Sequence, residues 1–173
     1  MSAPDPLLDP VAAFVAHETY SDPAVRAHVR TLLADALVLA RAADSVPGAT
    51  DLLELGAGHG DHLAWWSGRR LGAADAVQAN AAAVCARFQD DTDMRSWSHP
   101  GSFVVPAAVA AAVEAAASYG QLLDGLVAGY STTAWLGGAG EVAVAMMRRG
   151  HRPSPTFAAA GASAAAARAF GLD

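Results

Sequence analysis

The sequence predicts an all-α fold in a single domain that spans residues 1–173. Alanine is the dominant residue, and it favours helices over strands. Apolar residues recur at the 3.6-residue period of a helix, and helix start and stop signals separate the periodic segments. No convincing strand follows Leu71 in the sequence. With 173 residues, 53% of them apolar, the chain can form one core without disulfides.

Charge and composition exclude several classes of function. The net charge is −6 and no segment resembles a basic face, which argues against nucleic-acid binding. The eleven lysine-or-arginine positions are all arginine, so a Schiff-base mechanism on lysine is excluded. Cys85 is the single cysteine, and an intramolecular disulfide is therefore excluded too.

The sequence also predicts a cytoplasmic protein without a membrane-spanning segment. The first ten residues, MSAPDPLLDP, have neither the basic nor the apolar region of a signal peptide. The most apolar run, 103–113, contains Pro106 and is closed by Glu114. It is too short to cross a bilayer, and we expect it to form a buried helix.

Local signals place the helices in order along the chain. A short helix is expected at 10–17. Asp22 followed by Pro23 is a typical helix start, because aspartate caps free N–H groups and proline fits the first helical position. This second helix is expected to continue to about Asp44. Further helices are predicted at 73–89, 106–118, 122–136, 141–149 and 157–170, with Gly120 ending the 106–118 helix and a loop at 151–155.

Residues 51–71 allow two interpretations. The run DLLELGAGHGDHLAWW resembles the first motif of S-adenosylmethionine methyltransferases, in which an apolar strand ends in an acidic residue before a glycine-rich turn. A doubly wound sheet needs further strands, however, and the rest of the chain offers none. We therefore favour a loop or short helix whose glycines serve tight turns. Residues 65–71 are expected to be a short extended stretch.

Two histidines in the same region raise the question of a metal site. His59 and His62 are three residues apart and lie near Asp61. Because no further ligands follow at a suitable spacing, two solvated histidines are the simpler interpretation. We expect neither a metal ion nor another cofactor.

The candidate site lies between 80 and 106, where carboxylates, a histidine and aromatic residues occur together. Asp90 and Asp91 are expected at or just beyond the end of the 73–89 helix. The negative end of the helix dipole should raise the pKa of a carboxyl group there, unless Arg87 or Arg95 compensates. Either aspartate could instead serve as a turn residue.

His99 is the candidate acid–base residue of this stretch. It precedes a proline, so its backbone should be extended and outside a helix. A histidine on a short segment between two packed helices is well placed to transfer protons.

Five segments in order along the chain resemble the 2-methylcitrate dehydratase family, also called MmgE/PrpD, which includes cis-aconitate decarboxylase. They are AVRAHVRTLLADALVLARAA with Asp35, SGRRLGAADAVQANAAAVCARFQDDTD, HPGSFVVPAAVAAAVEAA, GQLLDGLVAGYSTTAWLG and HRPSPTFAAAGASAAAARAFGLD. The resemblance implies the all-helical first domain of that family, which is usually dimeric and is followed by an α+β lid domain that we expect this chain to lack. It also implies lyase or isomerase chemistry on small polycarboxylates without a cofactor, and it maps the family's site onto Asp91, Thr92 and His99.

The chain also departs from the family pattern at several site positions. Phe88 stands at an aspartate, Trp135 at an arginine and Arg152 at a histidine. Cys85 and Ser131 replace a histidine and a glutamate. These changes predict a more apolar, less anionic ligand, and we do not expect turnover of methylcitrate.

Three hypotheses about function follow. The first is a repurposed stand-alone enzyme that promotes proton transfer, dehydration or cyclisation on an apolar small molecule in a biosynthetic pathway. In this hypothesis the chain forms a homodimer. The second is a catalytic half-subunit that needs a separate lid polypeptide. The third is a non-catalytic dimeric scaffold or binding protein.

In the first hypothesis, His99 is the general base or acid, Asp91 orients it or carries a proton, and Thr92 and Tyr130 bind a substrate oxygen. Further substrate contacts are predicted at Phe88, Asp90, Trp97, Trp135 and Arg152, with Arg152 as the contact for an anion.

Overall fold

The structure, a computed structural model, describes residues 5–6, 8–17, 21–46 and 60–172, and helices make up most of them. The helices are α1 (Leu8–His17), α2 (Pro23–Arg41), α3 (Ala73–Cys85), α4 (Gly101–Glu114), α5 (Tyr119–Leu136), α6 (Glu141–Arg148) and α7 (Pro153–Phe170). Short 3-10 turns occupy Ala42–Ser45 and Gly138–Gly140, and two antiparallel strands, β1 (His62–Leu63) and β2 (Arg70–Leu71), form a small hairpin. The all-α prediction is confirmed. None of the described helices combines the length and apolar character needed to cross a membrane.

Capping side chains set where two of the helices begin. The Asp22 carboxylate accepts a hydrogen bond from the Ala24 N–H at 2.8 Å, and Pro23 is the first residue of α2, as predicted. At the start of α5, Ser118 and Gln121 form a reciprocal capping box. This box starts α5 at Tyr119, so Gly120 lies inside the helix, and the prediction that it ends the preceding helix is wrong.

Other helix boundaries also differ from the prediction. α3 ends at Cys85, four residues early, and α4 starts at Gly101, so that Pro106 lies inside α4 rather than in its first turn. α7 starts at Pro153, within the predicted 151–155 loop, because proline fits the first helical position.

The main hydrophobic core lies between α2, α3, α4, α5 and the hairpin region, and α7 packs against α4 and α5. Among the described elements, the α5–α7 contact is the most extensive. Gly129 on α5 faces Gly161 on α7, and a Cβ atom built on Gly161 would overlap the Thr133 hydroxyl. Small residues therefore let these two helices approach closely. On the other side, α2 is tied to α5 by an ion pair between Arg26 and Asp124, with the charged atoms 2.6 Å apart.

The hairpin is fastened to the helices by buried polar side chains. The Asn80 side chain accepts a hydrogen bond from the Trp65 N–H and donates one to the Leu63 carbonyl, both at 2.9 Å. Nε2 of His62 lies 2.6 Å from a Glu114 carboxylate oxygen, and His62 is buried. The expectation that His62 is solvated is therefore wrong, because the His62 ring is buried and contacts the Glu114 carboxylate at the end of α4.

The remaining sequence-based expectations for residues 51–71 concern an extended stretch, the glycine-rich segment and a metal site. Residues 65–67 form a turn, so the predicted extended stretch is limited to β2. His59 and most of the glycine-rich stretch fall on residues 47–59, outside the described part of the chain. Among the residues that the structure does describe, no group of three or more potential metal ligands is found.

Candidate functional site

The loop between α3 and α4 carries the candidate site, and Asp91 fastens it to two helices. One carboxylate oxygen, Oδ1, accepts a hydrogen bond from the Gly101 N–H at 2.8 Å, which caps the first turn of α4. The other, Oδ2, accepts one from the Tyr130 hydroxyl at 2.7 Å. Position 101 needs glycine, because a Cβ atom there would lie 2.7 Å from the Asp91 carboxylate. Asp91 therefore joins the loop to α4 and α5.

Burial raises the pKa of Asp91, although the hydrogen bonds from Tyr130 and Gly101 work in the opposite direction. The nearby negative charges of Asp90 and Asp35 raise this pKa further. The direction agrees with the sequence-based expectation, but the main cause is burial rather than a helix dipole, since α3 already ends at Cys85. Burial and the neighbouring Asp91 also raise the pKa of Tyr130, which keeps its hydroxyl group a hydrogen-bond donor.

Arg95 was expected to compensate for the helix dipole near Asp90 and Asp91, but its side chain contacts a different aspartate. Its Nε donates to an Asp93 carboxylate oxygen at 3.1 Å. Arg95 thus pairs with Asp93.

The ring of His99 is oriented by the backbone of Asp91. Its Nδ1 lies 2.9 Å from the Asp91 carbonyl oxygen. A carbonyl group can only accept a hydrogen bond, so in the neutral ring Nδ1 carries the hydrogen and Nε2 holds the lone pair. The His99 side chain is 43% exposed, and among the described residues no hydrogen-bond partner of Nε2 is found. Nε2 is thus the nitrogen left to accept a proton.

Asp90 and Thr92 also lie close to the ring of His99. A carboxylate oxygen of Asp90 lies 3.8 Å from Nδ1, and only 3% of the Asp90 side chain is exposed. The second oxygen of Asp90 is buried and has no hydrogen-bond partner in the described part of the chain. The hydroxyl of Thr92, an exposed residue, lies 3.5 Å from Nδ1. A protonated His99 would therefore face a buried negative charge.

His99 also lines an open depression of about 360 Å³ at the surface. The loop meets α7 here, since the His99 N–H donates to the Ser154 hydroxyl at 3.2 Å. The other residues that line the depression are Trp97, Met147, Gly150, His151, Arg152 and Pro153. The depression combines an indole and a thioether with a guanidinium group and the ring of His99.

The structure brings part of the predicted site together. Trp97, His99 and Arg152 line one depression, and Asp90, Asp91, Thr92 and Tyr130 lie beside or behind His99. Trp135 lines a separate apolar depression against α1, and Phe88 is 84% exposed and lines neither. Sequence reasoning did not identify Met147 or Ser154, because they come from helices distant in sequence and carry no local signal.

The family model described as the MmgE/PrpD N-terminal domain matches residues 9–173. The chain belongs to the MmgE/PrpD family. The family match confirms the resemblance seen in the sequence motifs, and the MmgE/PrpD family is one of dehydratase- and lyase-type enzymes. No curated protein sequence matches the chain.

Proposed function

We propose that this MmgE/PrpD chain is a lyase- or isomerase-type enzyme in which His99 transfers a proton to and from a relatively apolar small molecule. The observation that carries the proposal is the hydrogen bond between Nδ1 of His99 and the Asp91 carbonyl. It fixes the neutral tautomer whose Nε2 can act as a general base. The ring is also partly exposed beside a depression that a substrate could enter.

The proposed reaction begins with removal of a proton from the carbon next to a carboxylate or carbonyl group. Nε2 of His99 takes this proton, and the electron pair of the C–H bond forms a double bond. In a dehydration, hydroxide leaves the neighbouring carbon and takes the proton from the imidazolium, giving water. In an isomerisation, the same proton returns to a different carbon.

Asp90 supports the protonated form of His99 in this scheme. Its carboxylate oxygen lies 3.8 Å from Nδ1 in a buried position, where Coulombic attraction is stronger than in water. The Asp90 carboxylate would therefore attract the His99 ring only once the ring has taken up a proton and become positively charged. An interaction that is stronger after proton transfer than before it favours that transfer, which is the requirement for catalysis. Asp91 and Tyr130 hold the loop, so we assign them a supporting role.

The substrate contacts follow from the lining of the depression. Arg152 offers a guanidinium group to a carboxylate, and Trp97 and Met147 offer apolar surface. Thr92 is exposed beside His99, and its hydroxyl group could bind a substrate oxygen. Contacts from Phe88 and Trp135 stay predictions, and they would require a second polypeptide or copy to bring these side chains to the ligand.

The proposal can be tested without knowing the substrate. The protein is incubated in D2O with a panel of 2- and 3-hydroxycarboxylic acids and unsaturated carboxylic acids. Mass spectrometry then detects deuterium uptake or loss of water. We expect at least one compound to react with the wild type and the rate to fall by about 10²–10⁴-fold in His99→Gln, the usual contribution of a general base.

The matched control is His28→Gln, which changes an exposed histidine on α2 outside the depression. Its rate should stay within a few-fold of the wild type, and the melting temperature of His99→Gln should be nearly unchanged. A reaction that survives in His99→Gln would refute the assigned role.

A second candidate, a catalytic half-subunit, is favoured by the openness of the site. His99 is 43% exposed, and proton abstraction from carbon is usually carried out where water is excluded. A separate lid polypeptide, or a second copy of this chain, would supply that exclusion. Native mass spectrometry after co-expression with the neighbouring genes distinguishes them: a complex with another protein supports the half-subunit, and a homodimer that retains a small molecule supports the stand-alone enzyme. A homodimer without ligand that is inert toward the whole panel supports the scaffold.

A further inference from the structure

Residues Asp93–Ser98 form a closed loop with its own internal supports. Its ends pair through two backbone hydrogen bonds, from Asp93 N–H to the Ser98 carbonyl at 2.9 Å and in return at 3.3 Å. The Asp93 carboxylate accepts hydrogen bonds inside the loop from the Ser96 hydroxyl at 2.6 Å and the Ser96 N–H at 3.1 Å. Burial alone would raise the pKa of Asp93, but the bonds from Ser96 and Arg95 outweigh it and lower this pKa. The loop is therefore held in one shape.

The loop presents Trp97 in a conformation that bulky residues avoid. Its φ is 48°, in the left-handed region, where a side chain larger than glycine is strained. Two glycines that follow α5 support this arrangement, one directly after the helix and one in the 3-10 turn. A Cβ atom on Gly137 would overlap Ser96, and one on Gly140 would lie 3.3 Å from the indole nitrogen of Trp97. The nitrogen edge of the indole thus lies against Gly140.

In spite of these supports, Trp97 is 44% exposed. A strained and exposed tryptophan on a well-supported loop is not explained by core packing alone, because the exposed part of its surface could be buried only by another molecule. Trp97 lines the same depression as His99 and Arg152. An aromatic surface, a cation and a candidate base therefore border one space.

We propose that Trp97 determines substrate specificity by stacking on a planar unsaturated group of the substrate. The substrate class is then a carboxylic acid that carries an aromatic ring or a conjugated double bond, with its carboxylate on Arg152. Stacking fixes the plane of the ligand, and the contact with Arg152 fixes its position along that plane. The inference rests on the proposed function only in treating this depression as the substrate site.

The test compares two probes that differ in planarity. Benzoate and cyclohexanecarboxylate have the same charge and ring size, but only benzoate is flat. Binding is measured by NMR titration of the wild-type indole and backbone N–H signals. We expect benzoate to shift the Trp97 indole signal and to bind at least about fivefold more tightly than cyclohexanecarboxylate, which is within the range of an aromatic pair.

Variants separate stacking from general apolar contact. Trp97→Ala should weaken benzoate binding at least about fivefold and leave cyclohexanecarboxylate binding nearly unchanged, whereas Trp97→Phe should retain most of the preference for benzoate. Tyr119→Ala is the matched control, since it removes an exposed aromatic side chain from a separate depression. It should bind both probes as the wild type does. Melting temperatures show that each variant is folded.

Three results would overturn the inference. Equal binding of both probes, no binding of either, or a preference for benzoate that persists in folded Trp97→Ala would each show that Trp97 does not select planar ligands. In the last two cases a protein surface becomes the better candidate for the partner of Trp97. The titration needs no turnover, so its failure is distinguishable from failure of the proposed role of His99, which the D2O assay measures separately.

Discussion

Asp91 uses its side chain and its backbone for different purposes. The carboxylate accepts hydrogen bonds from Gly101 and Tyr130, whereas the backbone carbonyl receives Nδ1 of His99. Anchoring the carboxylate on two helices fixes the carbonyl, and the carbonyl in turn fixes the tautomer of the ring. The residue can therefore matter for the reaction without giving or taking a proton.

Two substitutions at Asp91 should separate these contributions. Asp91→Ala leaves the Tyr130 hydroxyl and the Gly101 N–H without their partner, and we expect a loss of about 2–4 kcal/mol in the free energy of unfolding. Asp91→Asn can still accept from Gly101 and can donate to the Tyr130 oxygen, so the loss should stay below about 1 kcal/mol. Urea denaturation followed by circular dichroism measures both. A loss below about 1 kcal/mol in Asp91→Ala as well would show that the side chain is not the anchor.

Asp90 should contribute to activity and not to stability. Replacing it with asparagine removes the negative charge that faces a protonated His99, and we expect the rate in the D2O assay to fall about tenfold, equivalent to about 1.4 kcal/mol. Because one carboxylate oxygen is buried without a partner among the described residues, the melting temperature should stay the same or rise. Asp61→Asn, an exposed aspartate on the hairpin, is the control. An unchanged rate in Asp90→Asn would refute this role.

At the level of elements, the approach of α5 and α7 fixes where the site is assembled. α5 carries Tyr130, and Ser154 in the first turn of α7 accepts the hydrogen bond from the His99 N–H. The two helices come close because Gly129 and Gly161 face each other in the contact. A displacement of α7 would therefore move one wall of the depression.

Enlarging Gly161 should show how tightly this contact is packed. A Cβ atom there would overlap the Thr133 hydroxyl and crowd the Gly129 carbonyl, so we expect Gly161→Ala to cost about 3 kcal/mol in unfolding free energy. Gly120→Ala is the control, because its Cβ atom would meet only the Ser118 hydroxyl at 3.8 Å. That substitution should stabilise by about 0.5 kcal/mol through helix propensity. Thermal denaturation measures both, and similar changes in the two variants would refute close packing.

At the level of the whole molecule, the buried carboxyl group of Asp91 links stability to pH. Its pKa is raised in the folded state above the ordinary value of 3.8. A group with a raised folded pKa contributes stability that is fully present below its ordinary pKa and is lost as the pH rises through its folded pKa. The contribution of Asp91 is therefore greatest in acid and decreases toward neutral pH.

This linkage predicts a difference between wild type and Asp91→Asn. Asparagine does not titrate, so the variant should gain unfolding free energy relative to the wild type as the pH rises from about 4 to about 7. Urea denaturation across this range checks the sign of the change. A constant difference, or one that moves in favour of the wild type, would contradict a raised pKa for Asp91.

The sequence alone determined the fold class, the family and the position of the candidate site along the chain. These depend on local signals: the periodicity of apolar residues, the Asp22 cap, and motifs such as the Asp91–Thr92 pair and His99. Helix boundaries were less well predicted at α3, α4, α5 and α7, because side chains that cap a helix, such as Ser118, act through geometry that the apolar pattern does not record.

Only the tertiary structure decided which groups meet and what each one does. The burial of His62 against Glu114, the anchoring of Asp91 by Tyr130, and the tautomer of His99 all depend on contacts between residues far apart or on backbone atoms. Trp135 lies in a different depression from His99 and Trp97, and this separation also depends on how the helices pack. Composition and spacing constrain neighbours along a helix, but the surroundings of a side chain, and with them its chemistry, are set by the elements that pack around it.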